Sequence, residues 1–299
     1  MPARPTASVI VPFTGDETAL IALVTRLGAL RRGPGDELII ADNRRGASAK
    51  LAAHGVRIHP AGGVATPAFA RNRGAAAAMG EWLVFLDADT LPGPDHLDAL
   101  LHPAPDPSTA ILAGAILDVP PSDGVSRVAA HLLRRGHMSD QVTLGRPDHP
   151  YAQSANLAVR RDAFVRVGGF VEHARAGEDA DLCFRLREAG WGLEARPRAR
   201  VGHLTRAALG DLLLQLVRHG AGAAWCDRRH PGSFPAAGAL GISRRLAHDL
   251  RLALSAWARG DRAGALDPCL DMLEAGAFSL GRRLPNRPRW RVRSLAPGA

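Results

Sequence analysis

Short apolar runs alternate with stretches of helical spacing along most of the chain. Ser8–Phe13 (SVIVPF) is apolar and β-branched, is bounded by Pro12 and Gly15, and reads as a buried strand. Leu20–Leu30 carries apolar residues at helical intervals until Gly33-Pro34-Gly35 breaks it, and Glu37–Ala41 is a second strand ending at Asp42-Asn43. Strand, helix, strand is the opening of a doubly wound sheet. Val56–His59 reads as a short strand and Pro67–Met79 as an alanine-rich helix. Glu81–Leu86 (EWLVFL) is the clearest strand and runs straight into Asp87-Ala88-Asp89. Beyond it, the pattern predicts a helix at Asp95–Leu101, a strand or strand pair at Thr109–Val119, a helix at Val125–Leu133 and a loop at Gly136–Pro150. An extended segment at Ala155–Val159, a short helix at Arg161–Val167 and a helix at Asp179–Ala189 follow. Acidic residues fill the first turn of that last helix, which suits its macrodipole. Ala199–His203 reads as one more short strand and Ala207–Trp225 as a long amphipathic helix. His230–Pro235 (HPGSFP) has the composition of a linker, and Ile242–Ala258 and Ala263–Leu280 are further amphipathic helices. The pattern predicts an α/β domain over 1–230 and a basic helical extension over 231–299, with no internal repeat.

Composition narrows the picture. With 299 residues and 46% hydrophobic content, the chain can bury a sizeable core. The net charge of +9 and pI near 11.0 suggest polyanion binding. A single lysine, Lys50, stands among 38 basic residues, however, and arginine bias of that kind can follow from genomic base composition alone. The excess is local: Ser243–Ala299 holds eleven arginines against five Asp and Glu, a net +6. Arg282, Arg283, Arg287, Arg289, Arg291 and Arg293 surround Trp290, a pattern suited to anionic lipid headgroups or to a solvated basic tail. Aromatic residues make up only 5% and no nucleic-acid module is present, so nucleic acid is not an expected partner. Cys183, Cys226 and Cys269 are too few and too scattered for a disulfide framework or zinc cluster, which fits a reducing compartment. The start of the sequence lacks a signal-like apolar stretch, and no apolar run is long enough to span a bilayer. A cytoplasmic protein is expected, with peripheral contact at the inner membrane face through the basic C-terminal region.

Two acidic constellations carry candidate chemistry. In open α/β sheets ligands sit beyond the carboxyl ends of strands, where both Asp42 and Asp87 fall. Asp87 and Asp89 can offer hard oxygen ligands to a divalent cation that bridges phosphate oxygens, although an Asp-x-Asp also serves turns and helix caps. Some ninety residues on, Gly177-Glu178-Asp179-Ala180-Asp181 packs three carboxylates at a helix start. Capping accounts well for Asp181, whereas Glu178 and Asp179 are candidates for general base catalysis.

In order and spacing, SVIVPF, Asp42-Asn43, Ala70-Arg71-Asn72-Arg73-Gly74, WLVFLDADT, SANLAVRRDAFVRVGGF and GEDADLCFRLREAG resemble glycosyltransferase family 2, the large GT-A group, over roughly Ala7–Trp225. The resemblance implies a Rossmann-like, mixed but mainly parallel sheet flanked by helices. It implies transfer of a sugar from a nucleotide-diphosphate sugar, with UDP favoured, aided by Mn²⁺ or Mg²⁺. Pro12 and Thr14 would border the nucleoside, Asp42 would bind the base, and Arg71 would lie near base or phosphates. Asp87 would contact the ribose or the metal's water shell, Asp89 would bind the metal, and His203 would be a further metal or diphosphate ligand. Asp179, with Glu178 beside it, would be the base of an inverting displacement. Asn156 and Gly168-Gly169 match the family's acceptor-side pattern, and Gly168-Gly169 also reads as a plain turn.

The sequence departs from the family at Phe13-Thr14-Gly15 and at Arg44-Arg45 after Asn43, which bears on base identity. A Gln-x-x-Arg-Trp segment and membrane spans are absent, which favours one sugar per encounter over processive synthesis. The acceptor class, whether glycan, lipid or small molecule, is open. The last helices have apolar spacing suited to docking on the catalytic domain, to a homodimer or to a membrane surface. Two other functions compete. A nucleotidyltransferase would need a Gly-rich basic segment after the first strand, where VPFTGDET is acidic with one glycine. A catalytically silent basic adaptor would not need Asp89 and Asp179.

Overall fold

A computed structural model describes residues 4–47, 49–121 and 124–288, so Arg289, Trp290, Arg291 and Arg293 lie outside the described residues. The described residues fall into two compact units. One holds the residues up to Leu117 together with Met138–His203, and the other holds Asp118–His137 together with Leu204–Asn286.

The first unit is built on a nine-stranded sheet: β1 (Ala7–Phe13), β2 (Glu37–Asp42), β3 (Lys50–Leu51), β4 (Val56–Pro60), β5 (Trp82–Leu86), β6 (Thr90–Pro92), β7 (Thr109–Val119), β8 (Asn156–Arg160) and β9 (Gly192–Leu204), in the order β3-β4-β2-β1-β5-β8-β7-β9-β6. Strands β4, β2, β1 and β5 run parallel, while β3, β8 and β6 pair antiparallel with β4, β5 and β9. The central strands β1, β2 and β5 are largely apolar because both faces of the sheet are covered there. Val9 and Val11 join Leu38, Ile40, Val84 and Leu86 in one cluster with Leu20, Leu23 and Leu27 of α1 (Glu17–Gly28) and Leu97 and Leu100 of α3 (His96–Leu101). Ile10, Ile39, Leu83 and Phe85 point the other way. They meet Ala68 and Ala75 of α2 (Pro67–Ala76), Phe164 of α6 (Arg161–Arg166), and Leu182 and Leu186 of α7 (Glu178–Glu188). Period-two alternation thus makes a three-layer α/β/α arrangement.

The helix starts are set by local chemistry. Asp16 caps α1 by accepting from the Ala19 N–H at 2.8 Å, and Thr66 caps α2, with Pro67 at its first position. Three features differ from the sequence pattern. The segment expected as a loop at Gly136–Pro150 contains a short helix, α5 (Asp140–Leu144), whose Asp140 Oδ1 accepts from the Ile116 N–H. The strand expected at Ala199–His203 is 13 residues long, because its earlier residues, although charged, pair as an extended chain. β3 and β6 were not anticipated, since two or three residues carry no readable period.

Asn156, expected on the acceptor side, sits fully buried and donates from Nδ2 to the carbonyls of Ala115 and Ala199, at 2.9 and 2.8 Å. It cross-links β7 and β9 from the end of β8. The Gly168-Gly169 pair is a turn with φ of 79° and 67°, and a Cβ on Gly169 would press on Asn72 Oδ1.

The second unit is helical: α4 (Arg127–Arg135), α8 (Leu209–Arg229), α9 (Ala239–Ala258) and α10 (Arg262–Gly281). α10 packs on both α8 and α9, and Leu132, Leu212 and Leu216 form a small core. Gly220 and Gly281 let α8 and α10 approach closely, since a Cβ at either would collide with a carbonyl of the opposite helix. Among the described residues no helix is long and apolar enough to cross a membrane.

Replacing Asn156 by Ala leaves the buried Ala199 carbonyl and the part-buried Ala115 carbonyl without this donor. Urea unfolding of Asn156→Ala is therefore expected to show a loss of about 2 kcal/mol or more, against a near-zero change if the residue served only an acceptor.

Candidate active site

The turn after β5 is fixed from several directions. Thr90 closes it, its N–H and its hydroxyl both donating to the Asp87 carbonyl at 3.1 and 2.8 Å. From α1, Arg26 Nη1 donates to the carbonyls of Ala88 and Thr90 at 2.8 and 3.0 Å. The Asp87 and Asp89 side chains are half-buried. The antiparallel register of β6 on β9 sets Thr90 opposite His203. His203 Nε2 thereby lies 3.5 Å from Asp89 Oδ1, and Asp87, Asp89 and His203 each offer a ligand atom within 4.8 Å of the others. The His203 ring is buried, and its Nδ1 makes no hydrogen bond. Two carboxylates with one imidazole suit Mn²⁺, and the oxygen pair alone suits Mg²⁺. The three residues therefore fit a divalent cation.

Arg71 ties this turn to the second acidic constellation. Lying on α2 and only 3% exposed, it donates from Nη2 to Asp87 Oδ1 at 2.6 Å and from Nη1 to Glu178 Oε1 at 2.9 Å. Burial works against its charge, but Asp87 and Glu178 outweigh that and hold its pKa above the usual arginine value. Gly177 caps α7 with a left-handed φ of 77°, and Glu178, the first residue of the helix, is buried. Asp179 accepts from the Ala180 N–H at 2.8 Å on one oxygen and from the Ser154 N–H at 3.2 Å on the other. Burial and then the neighbouring Asp179 push the Glu178 carboxyl up to about 7, against the pull of Arg71. Burial also raises Asp179, opposed by the two N–H donors and by Arg71. The pair consequently retains a proton at pH values where ordinary carboxylates have lost theirs.

Asp87, Asp89, His203, Arg71, Glu178 and Asp179 thus form one connected group. Asp181 is apart from it, fully buried and bonded to Arg185 Nε at 2.8 Å one turn on, which is a structural role. Asp42, Pro12 and Thr14 lie at the neighbouring strand ends. Pro12 pairs in register with Ala41, Thr14 is exposed just past β1, and Asp42 is 1% exposed at the end of β2. The Asp42 carboxylate is held by Arg44, with Nη2 at 2.7 Å and Nε at 2.9 Å, while the guanidinium lies 5.3 Å from the Phe13 ring centre. Arg44, noted in the sequence only as a departure from the family, is thus a lid over Asp42. Arg26 was missed altogether; a basic residue in the last turn of α1 is an ordinary feature and gave no signal.

Residues 8–168 match the sequence profile of Glycosyl transferase family 2. The chain belongs to this family. Among curated proteins, it is 33% identical over 245 residues to the pre-mycofactocin glycosyltransferase of Mycobacterium tuberculosis, covering 77% of this chain and 49% of that protein. It is 28% identical over 206 residues to validoxylamine A glucosyltransferase of Streptomyces hygroscopicus, covering 56% of this chain and 46% of that one. The chain spans about half the length of these relatives. Two solved structures share the fold. The mannosyltransferase PcManGT from Pyrobaculum calidifontis, in complex with GDP-Man and Mn²⁺, gives a TM-score of 0.56 at 18% identity over 91% of this chain and 88% of that one. GalNAc-T7 with UDP, GalNAc and Mn²⁺ gives 0.51 at 17% identity over 73% of this chain and 48% of that one. The family-2 chain therefore has a GT-A sheet, as its motifs implied.

The raised Glu178 pKa carries a sign. The folded form holds this proton more tightly than the unfolded chain does, so the group's contribution to stability is fully present below about pH 4.5 and is lost as pH climbs through about 7. Urea unfolding across that window should show Glu178→Gln gaining stability relative to wild type as pH rises. A difference that stays constant with pH would mean the carboxyl is not perturbed.

Proposed function

We propose that the chain transfers a single sugar from a nucleoside-diphosphate sugar to an acceptor hydroxyl with inversion, UDP being the favoured nucleotide. The observation that carries the reading is the Asp87–Arg71–Glu178 bridge, which joins the metal-competent turn to a proton-retaining carboxylate pair in one unit. Family membership and the nucleotide-sugar and Mn²⁺ complexes of the fold relatives support it.

In this mechanism Asp89 and His203 would hold a divalent cation, and Asp87 would contact the ribose or the cation's water shell. Mn²⁺ or Mg²⁺ bound there supplies Lewis-acid neutralisation of the diphosphate as it leaves. Asp179 takes the proton of the acceptor hydroxyl as its oxygen forms a bond to the anomeric carbon. The bond from that carbon to the diphosphate oxygen breaks, and the nucleoside diphosphate departs with the electron pair. Glu178 and Arg71 are positioning residues: Arg71 keeps the Asp179 side of the site next to the phosphate side, and its charge favours the ionised base. Pro12 and Thr14 border the nucleoside, and Asp42 receives the base once Arg44 swings from it. Placement of the protein in the cytoplasm belongs to the same reading. Peripheral contact of the C-terminal region with the inner membrane face is supported by Leu246, Leu250, Leu254 and Trp257, exposed along α9.

A thermal-shift and calorimetric panel of UDP-, GDP- and dTDP-sugars, with Mn²⁺ and with chelator, tests this on wild type and Asp89→Ala. One nucleotide class is expected to stabilise wild type only with metal, and Asp89→Ala should lose at least about tenfold in affinity, a cost near 1.4 kcal/mol. No response to any donor would favour the basic adaptor instead.

A further inference from the structure

A second group of candidate cation ligands lies wholly in the helical unit. Asp267, Asp271 and Glu274 stand at i, i+4 and i+7 on α10 and so share one helix face. His131 of α4, 2% exposed, points into them. Its Nδ1 meets Asp267 Oδ1 at 3.2 Å, and its Nε2 lies 3.2 Å from Glu274 Oε1 and 3.6 Å from Asp271 Oδ1. Nε2 and Glu274 Oε1 nevertheless make no hydrogen bond, although both are buried. Distance without alignment is what a shared cation, rather than a shared proton, accommodates. The ligand atoms of His131, Asp271 and Glu274 fall within 4.8 Å of one another.

The outer contacts agree with that reading. A histidine that ligates a metal commonly donates its other ring N–H to a carboxylate, which fixes the tautomer and turns the lone pair toward the ion. Asp267 stands at that second nitrogen and is itself held by Arg134 at 2.5 and 2.6 Å. Arg135 pairs with Asp271 and lies 3.7 Å from Glu274 Oε2, so it offsets the acidic charge when no ion is bound.

We propose that His131 Nε2, Asp271 and Glu274 form a divalent-cation site of zinc type that clamps α4 onto α10. One imidazole nitrogen and two carboxylates are ligand types that Zn²⁺ takes. The site is structural, since it lies in a different compact unit from Asp89 and Asp179.

Equilibrium dialysis of the full chain carrying Asp89→Ala and His203→Ala against Zn²⁺ alone, near neutral pH, tests this without interference from the first cluster. One equivalent of Zn²⁺ should remain bound and should raise Tm, and both effects should vanish on adding Glu274→Gln. Asp267→Asn, which keeps the ligands but removes the support of His131, should weaken binding by roughly 10- to 100-fold. Far-UV circular dichroism checks each fold, and Asp271→Asn is read instead if Glu274→Gln does not fold. Absence of bound Zn²⁺ in that background, or an affinity unchanged by Glu274→Gln, overturns the proposal and leaves a polar network joining α4 and α10.

Discussion

Arg71 is the contact on which the site depends. A guanidinium 3% exposed, shared by Asp87 and Glu178, can stay in the interior only because two carboxylates meet it, and those carboxylates in turn belong to different parts of the chain. One closes the central parallel strand and the other opens α7. Removing such a partner from a buried ion pair is far more costly than the pair's net contribution to stability, typically about 3–5 kcal/mol, because a bare charge is left behind. The bridge therefore favours one relative placement of turn and helix start. That placement sets Asp89 and His203 on one side and Asp179 on the other.

The remainder of the first unit supplies the frame for this bridge. The β5 strand is apolar on both faces and ends abruptly in acid, so hydrophobic burial stops where ligand chemistry starts. Arg26 and Thr90 satisfy the turn's backbone, so the two Asp side chains are not consumed in holding the turn itself. α7 opens after Gly177 with Glu178 and Asp179 in its first turn. Charge is then the controlling quantity: one arginine faces Asp87, Glu178 and Asp179, and the surplus of carboxylate is relieved by a retained proton or by a bound cation.

Most strands and helices and both acidic clusters were legible in the sequence because each is a local pattern, either an apolar period or a motif read over a few residues. Long-range pairing was less so. That His203 faces Asp89 depends on the antiparallel register of β6 with β9, and β6 is too short to be read at all. Arg44 looked like a simple departure from the family, yet its side chain reaches back two residues to seal Asp42. Asn156 carried an acceptor-side expectation and proves to be a buried cross-link between strands. The His131 cluster joins residues more than a hundred positions apart, and no spacing rule would have collected them.

The separation of binding from chemistry is the most direct test of the account. Asp179→Asn keeps the side-chain volume and leaves Asp89, His203 and Arg71 in place while removing the base. With the donor identified by the nucleotide panel, the variant should bind it in the presence of Mn²⁺ about as well as wild type does, yet release nucleoside diphosphate at least about 100-fold more slowly. Turnover equal to wild type would contradict the assignment of Asp179 as the base and, with it, the role given to the Arg71 bridge.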